Sequence, residues 1–276
     1  VSQADTFSLS VQSAELPEFE AWHAEKRDAV EFLRSLPPDS VNLIVTDIAY
    51  ESLEKYRAVG TTTRLKKSKA SSNEWFPIFP NARIPELFHE CFRVLKRNSH
   101  FYFFSDAETM FVAKPMGEQA GFTFWKPIVW DYGVIGMGYH YRARHQFILF
   151  FEKGKRRIRD LGVPDVLCHR RVLGGYPTEK PRPLLEELVT QSSDNREIVL
   201  DPFMGSGSTG MAALGLGRRF IGCDTSDGSL ERACGDMGQF APEGRWAVDN
   251  EAPERPPADG HVEPPGWKKL EDVETP

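Results

Sequence analysis

Short apolar, β-branched runs alternate along this chain with amphipathic stretches of helical period. Val41-Asn42-Leu43-Ile44-Val45-Thr46 reads as a buried strand ending at Asp47. Before it, Asp28–Leu36 places Ala29, Val30, Phe32, Leu33 and Leu36 on one face and stops at Pro37-Pro38, as a helix would. Pro85–Lys96 predicts an amphipathic helix leading into a strand at His100–Phe104, followed by a helix near 107–119 and strands near 122–130 and 146–152. Farther on, the pattern predicts a helix over Pro181–Ser193, a strand over Glu197–Asp201, a helix over Gly207–Leu216 and a strand over Arg219–Asp224. Strands alternating with helices imply an α/β chain built on one mostly parallel sheet. Residues 51–80 are polar and basic without a period, and so long a connection inside a compact domain is usually functional. Beyond about residue 237 the chain turns rich in proline and acid and reads as a tail without its own core. The expected organisation is a catalytic domain over 1–236 and a tail over 237–276.

Composition changes this picture little, but charge changes it. The 276 residues are 40% hydrophobic and 27% charged, which suits a folded domain rather than a disordered chain. No run approaches the roughly 20 apolar residues that a membrane span needs. The first residues, Val1 to Asp5, lack the basic and apolar regions of a secretory signal, so a cytoplasmic protein is expected. Four scattered cysteines without a C-x-x-C pair suggest neither disulfides nor a metal. The net charge of −6 argues against a polyanionic partner until it is divided along the chain. Residues 1–40 hold 3 Lys/Arg against 8 Asp/Glu, and 224–276 hold 5 against 13. That leaves 26 basic and 19 acidic residues over 41–223, a net of +7. Lys55, Arg57, Arg64, Lys66, Lys67 and Lys69 form one acid-free run, and Arg142, Arg144, Lys153, Lys155, Arg156, Arg157 and Arg159 form a second opposed only by Glu152. Each is a solvated loop or part of a phosphate-binding surface.

The most informative run is Glu197-Ile198-Val199-Leu200-Asp201-Pro202-Phe203-Met204-Gly205-Ser206-Gly207-Ser208-Thr209-Gly210. An apolar strand ends in an acid, turns through glycines that admit close backbone approach, and enters a helix whose first N–H groups are free for a ligand. Asp224 closes the next strand, where a carboxylate can accept both hydroxyls of a ribose. Gly205, Gly207 and Gly210 also satisfy G-x-G-x-x-G, the dinucleotide fingerprint. Asp201 would repel a pyrophosphate there and suits an ammonium-bearing ligand better. Only one clear strand follows the loop, so a nicotinamide oxidoreductase rests on spacing alone.

Asp201–Thr209 resembles the S-adenosylmethionine loop of amino-group DNA methyltransferases, and Asp47-Ile48-Ala49-Tyr50 resembles their Asp-Pro-Pro-Tyr motif. Pro177-Thr178-Glu179-Lys180-Pro181 is similar to the family's Pro-Thr-x-Lys-Pro segment. The catalytic motif precedes the cofactor loop, as in the β-class. The resemblance, from about Trp22 to Ala233, implies a Rossmann-like methyltransferase sheet, circularly permuted, with one antiparallel edge strand. It implies methylation of the exocyclic amine of a base flipped out of double-stranded DNA, with S-adenosylmethionine as donor and no metal. Asp at the first catalytic position is linked mostly to adenine N6, with N4-cytosine as the alternative; the resemblance implies DNA methylation of the restriction–modification kind.

On this reading Asp47 accepts a hydrogen bond from the target amine, the Ile48 carbonyl is the second acceptor, and Tyr50 stacks on the base. Ile48 and Ala49 replace both prolines and remove two fixed φ angles, which keeps open a catalytically inactive, nucleic-acid-binding subunit. The resemblance gives Gly205, Ser206, Gly207 and Thr209 to the cofactor, with Asp224 on its ribose. Asp28 matches an acid that bonds the cofactor's adenine, or is simply a helix N-cap. Lys180 holds the methionine end of the cofactor or braces the loop, and Phe203 packs on its adenine or in the core. DNA contacts are expected from loops near 51–80 and 133–176, through Arg64, Lys66, Lys67, Tyr139, His140, Arg142, Arg144, Arg156 and Arg157. An RNA or small-molecule acceptor also suits the basic loops. So compact a chain has little surface to cover a duplex, so a homodimer is expected, bound to the nucleoid.

Overall fold

The computed structural model describes residues 16, 19–53, 77–136, 140–172 and 178–241. Eight strands form one sheet: β1 (Trp22–Lys26), β2 (Val41–Asp47), β3 (Leu95–Ser105), β4 (Thr123–Asp131), β5 (His145–Lys153), β6 (Val166–Cys168), β7 (Ile198–Asp201) and β8 (Arg219–Asp224). Their order across the sheet is β1-β8-β7-β2-β3-β5-β4-β6. Every neighbouring pair is parallel except β3/β5 and β4/β5. The one antiparallel strand, β5, therefore lies inside the sheet with β4 and β6 outside it, rather than at an edge.

Period-two geometry explains why the middle of β2 and the second half of β3 read as apolar runs. Ile44, Phe101 and Phe103 enter one core, and Leu43, Val45, Tyr102 and Phe104 enter the other. The first core is closed by α1 (Ala29–Ser35), α2 (Ile84–Val94) and α3 (Thr109–Ala120), where Phe88 packs edge-on against Phe101, Phe103 and Phe151. The second is closed by α4 (Arg182–Ser192), α5 (Ser208–Gly215) and α6 (Asp227–Phe240). The result is a three-layer sandwich, the architecture the alternating pattern predicts.

Among the described residues, β1, β6 and α6 escaped the pattern, as did a single 3-10 turn at Asn81–Arg83. β1 and β6 are short, half-exposed edge strands, so neither shows a buried run. The third, α6, continues to Phe240 and buries Met237 completely; the boundary expected at 236 falls inside it. The segment 242–276 lies outside the described residues.

Strand direction sorts the basic residues. Because β5 is antiparallel, Lys153 lies beside Ser99 at the start of β3, at the amino edge of the parallel strands. The chain regains the carboxyl edge only through β6, which runs parallel to β4 as far as Cys168. The expected DNA-contacting region 133–176 is thus split between opposite edges.

Candidate active site

Parallel strands deliver their terminal acids to one edge: Asp47 from β2, Asp201 from β7 and Asp224 from β8. There β2 is flanked by β7 on one side and β3 on the other. A cavity of about 60 Å³ is lined by Asp47 and Lys180 together with Asp201, Phe203, Gly205 and Thr209. It adjoins a cleft of about 370 Å³ that shares Glu179, Lys180, Ser206 and Ser208. The catalytic-type acid and the glycine loop, 154 residues apart in sequence, face one space.

The glycine loop is built around Asp201. Thr46 Oγ1 donates to its Oδ1 at 2.7 Å, Thr209 Oγ1 to its Oδ2 at 2.8 Å, and the Phe203 N–H to Oδ1 at 3.0 Å. The residue is 4% exposed, and burial raises its pKa to about 6 despite those bonds. Its carboxylate is thus committed to joining the loop to the end of β2, not held out for an ammonium group. Gly207 lies at φ 77°, and a Cβ there would stand 2.8 Å from the Ala233 Cβ. Asp224 takes the Gly205 N–H at 3.0 Å on one oxygen and the Ser226 N–H at 2.8 Å on the other. Each oxygen keeps a second lone pair for a hydroxyl, and burial raises this carboxyl as well.

Asp47 is surrounded by donors. Tyr50 Oη donates to Oδ1, and Lys180 Nζ donates to Oδ2. Gln146, on β5, donates from Nε2 to Tyr50 Oη at 2.7 Å and lies 3.5 Å from Asp47 Oδ1. Burial, then the Asp47 charge, holds the Tyr50 phenol well above its ordinary range, so it stays protonated and able to donate. Lys180 also lies over the rings of Phe104, at 5.1 Å, and Trp130, at 6.0 Å. Each oxygen of Asp47 therefore accepts a hydrogen bond from a side chain of the protein.

The loop without prolines is pinned by other means. Phe79 N donates to Ala49 O at 2.9 Å, Leu53 N donates to Tyr50 O at 3.1 Å, and the Phe79 ring meets Phe203 edge-on at 5.1 Å. Phe79, bonded to the motif, thus also meets the glycine loop through an aromatic pair. Asp28 caps α1, accepting from the N–H groups of Val30 and Glu31, and Arg83 grips both its oxygens at 2.7 and 2.9 Å. The Arg83 bonds hold the Asp28 carboxyl below its usual range. The capping reading of Asp28 is therefore observed, with an arginine partner that the sequence did not reveal.

Among the expected DNA contacts, His140 and Arg142 are exposed on the loop between β4 and β5 at the carboxyl edge. Arg144 forms a two-bond pair with Asp131, 2.8 Å each, at the base of that loop. Arg156 is drawn to the opposite edge of the sheet. It bonds Asp194 and Glu197 at 2.9 Å, on the amino edge and away from the cavity, and the exposed Arg157 follows it there. Arg171 instead lies at the carboxyl edge, 3.6 Å over the Tyr132 ring. Arg64, Lys66, Lys67, Tyr139 and Pro177 lie outside the described residues. Sequence reading missed Gln146, Thr46, Phe79 and Arg83. Gln146 is 96 residues from Tyr50 and only the sheet register unites them; no local signal marked it.

Among the described residues no helix is long and apolar enough to cross a membrane, and no three His, Cys, Asp or Glu side chains are grouped to hold a metal ion.

The chain is similar in sequence and in fold to known proteins. The N6/N4 methyltransferase family model, described as DNA methylase, matches residues 41–165 and 163–234. The chain belongs to that family. The DNA adenine methyltransferase YhdJ of Escherichia coli is 27% identical over 236 residues, covering 71% of this chain and 76% of YhdJ. Among solved structures, the M1.HpyAVI–SAM complex superposes with a TM-score of 0.59 at 21% identity, covering 78% of this chain and 99% of that one. The cytosine-N4-specific PvuII DNA methyltransferase superposes at 0.60 with 15% identity, covering 84% and 88%. At these identities the two structures speak to the fold, which is that of the methyltransferases.

Proposed function

We propose that the protein transfers the methyl group of S-adenosylmethionine to the exocyclic amine of a base flipped out of double-stranded DNA, and that the base is adenine, methylated at N6. The observation that carries this reading is that Asp47 and the Phe203–Thr209 loop line one cavity. The donor supplies a methyl group on a sulfonium, already electrophilic. Residues 205–209 and Asp224 suit its holding, with acceptors for hydroxyls and a helix start for a carboxylate. Asp47 would accept an N–H of the amine and draw its lone pair out of conjugation with the ring, while the pocket holds that nitrogen in line with the methyl. Tyr50 would swing off Asp47 as the base enters, so that its ring stacks on the base. His140 and Arg142, with the basic run at 55–69, would meet the phosphates.

Asp47 at the first motif position and the relationship to YhdJ favour adenine. Incubation with labelled S-adenosylmethionine and mixed-sequence duplex, followed by digestion to nucleosides, is expected to yield N6-methyladenine. N4-methylcytosine as the sole product overturns the base assignment, and no labelled nucleoside overturns the activity. We also propose a homodimer of the 31.3 kDa chain; light scattering that shows only monomer at micromolar concentrations refutes it.

A further inference from the structure

Beside Asp47 stands a donor that neither the sequence motifs nor the proposed transfer requires. Gln146 reaches the site from β5, where it is paired with Trp130 of β4. Its Nε2 donates to Tyr50 Oη at 2.7 Å and lies 3.5 Å from Asp47 Oδ1. Tyr50 Oη in turn donates to Asp47 Oδ1. The hydroxyl accepts on one side and donates on the other, so the chain from amide to phenol to carboxylate has a fixed direction.

When Tyr50 leaves Asp47, two groups remain side by side: an acceptor, Asp47 Oδ1, and a donor, the Gln146 amide N–H. The Watson–Crick edge of an amino base is the complement of this pair. Adenine carries a donating amine at C6 next to the accepting N1, and cytosine a donating amine at C4 next to the accepting N3. Guanine and thymine carry the reverse order there, a carbonyl beside a ring N–H. They would set oxygen against carboxylate and N–H against N–H.

We infer that Gln146 is a base-reading residue, donating to the ring nitrogen next to the target amine while Asp47 accepts from the amine itself. The pair admits adenine and cytosine as a class and turns away the two carbonyl-bearing bases. This inference rests on the methyl-transfer reading above and names a recognition element within it. The same amide holds Tyr50 on Asp47 in the structure, so Gln146 exchanges one acceptor for another as the base arrives.

The test pairs a substrate change with a side-chain change. Once the methylated nucleoside is known, the target base is replaced by its deaza analogue, 1-deazaadenine or 3-deazacytosine, in which a C–H stands where the ring nitrogen was. With the natural protein, kcat/KM is expected to fall roughly 5- to 150-fold, the cost of leaving one buried donor unpaired. Gln146→Leu is expected to lose a similar factor on the natural base and almost nothing further on the analogue, because the interaction is already gone. Equal rates of the natural protein on both substrates overturn the inference, as do losses that multiply in the variant. Gln146→Ala serves in the same cycle should the leucine variant fail to fold. The proposed activity fails on a different result, the absence of any methylated base with natural DNA.

Discussion

Asp201 offers the sharpest physical test of how the glycine loop is held. Its carboxyl is buried, and burial raises its pKa from 3.8 to about 6. A carboxyl whose folded-state pKa is raised binds protons more tightly folded than unfolded, so its contribution to stability declines as pH rises through the interval between the two values. Below about pH 4 both states are protonated and the penalty vanishes; above about pH 6 it is complete. Integrated from pH 4.5 to 7.5 with those two pKa values, the loss is about 2 kcal/mol. Asp201→Asn cannot ionise, yet with its amide oxygen in the place of Oδ1 it can still accept from the Phe203 N–H and the Thr46 hydroxyl, while its NH₂ donates to Thr209 Oγ1. Urea unfolding of both proteins across this range isolates the Asp201 contribution, because other titrating groups cancel in the difference. The stability of the natural protein relative to the variant should decrease by about 2 kcal/mol from pH 4.5 to 7.5, most steeply below pH 6. A difference independent of pH, or one that grows in favour of the natural protein, refutes the account of Asp201 as a buried brace between loop and strand.

Other perturbations separate the roles of neighbouring groups. Asp47→Ala should lower methyl transfer by about 10²–10³-fold, as loss of one preorganised transition-state acceptor does, while calorimetric binding of S-adenosylmethionine changes little. Arg142→Ala should weaken duplex binding uniformly across sequences and reduce the slope of log K against log salt by about 1. Arg156→Ala, on the other edge with Asp194 and Glu197, should leave that slope unchanged and lower the denaturation midpoint. Gly210→Ala should cost roughly 1–3 kcal/mol by overpacking, since its Cβ would stand 2.5 Å from Met237 Sδ and 2.9 Å from the Phe220 ring; an unchanged melting temperature refutes this.

The amino-acid order by itself determined the layered α/β architecture, because β2 and β3 carry the apolar runs Leu43–Val45 and Phe101–Phe104 and α2 carries a helical stripe. It also determined that Asp47, Asp201 and Asp224 close strands and that the turn through Gly205 and Gly207 leads into a helix, since these are local patterns of burial and backbone freedom. The tertiary structure alone decided the rest. Whether Asp201 faces a ligand or the interior depends on Thr46, which the β2–β7 pairing brings to it. Whether Arg156 meets DNA depends on the direction of β5, a property of the sheet that no residue in the basic run encodes. Gln146 joins Tyr50, and Arg83 joins Asp28, across 96 and 55 residues. Partners so far apart are set by which strands and helices pack together, and that choice is made by the burial of whole faces rather than by any stretch that can be read alone.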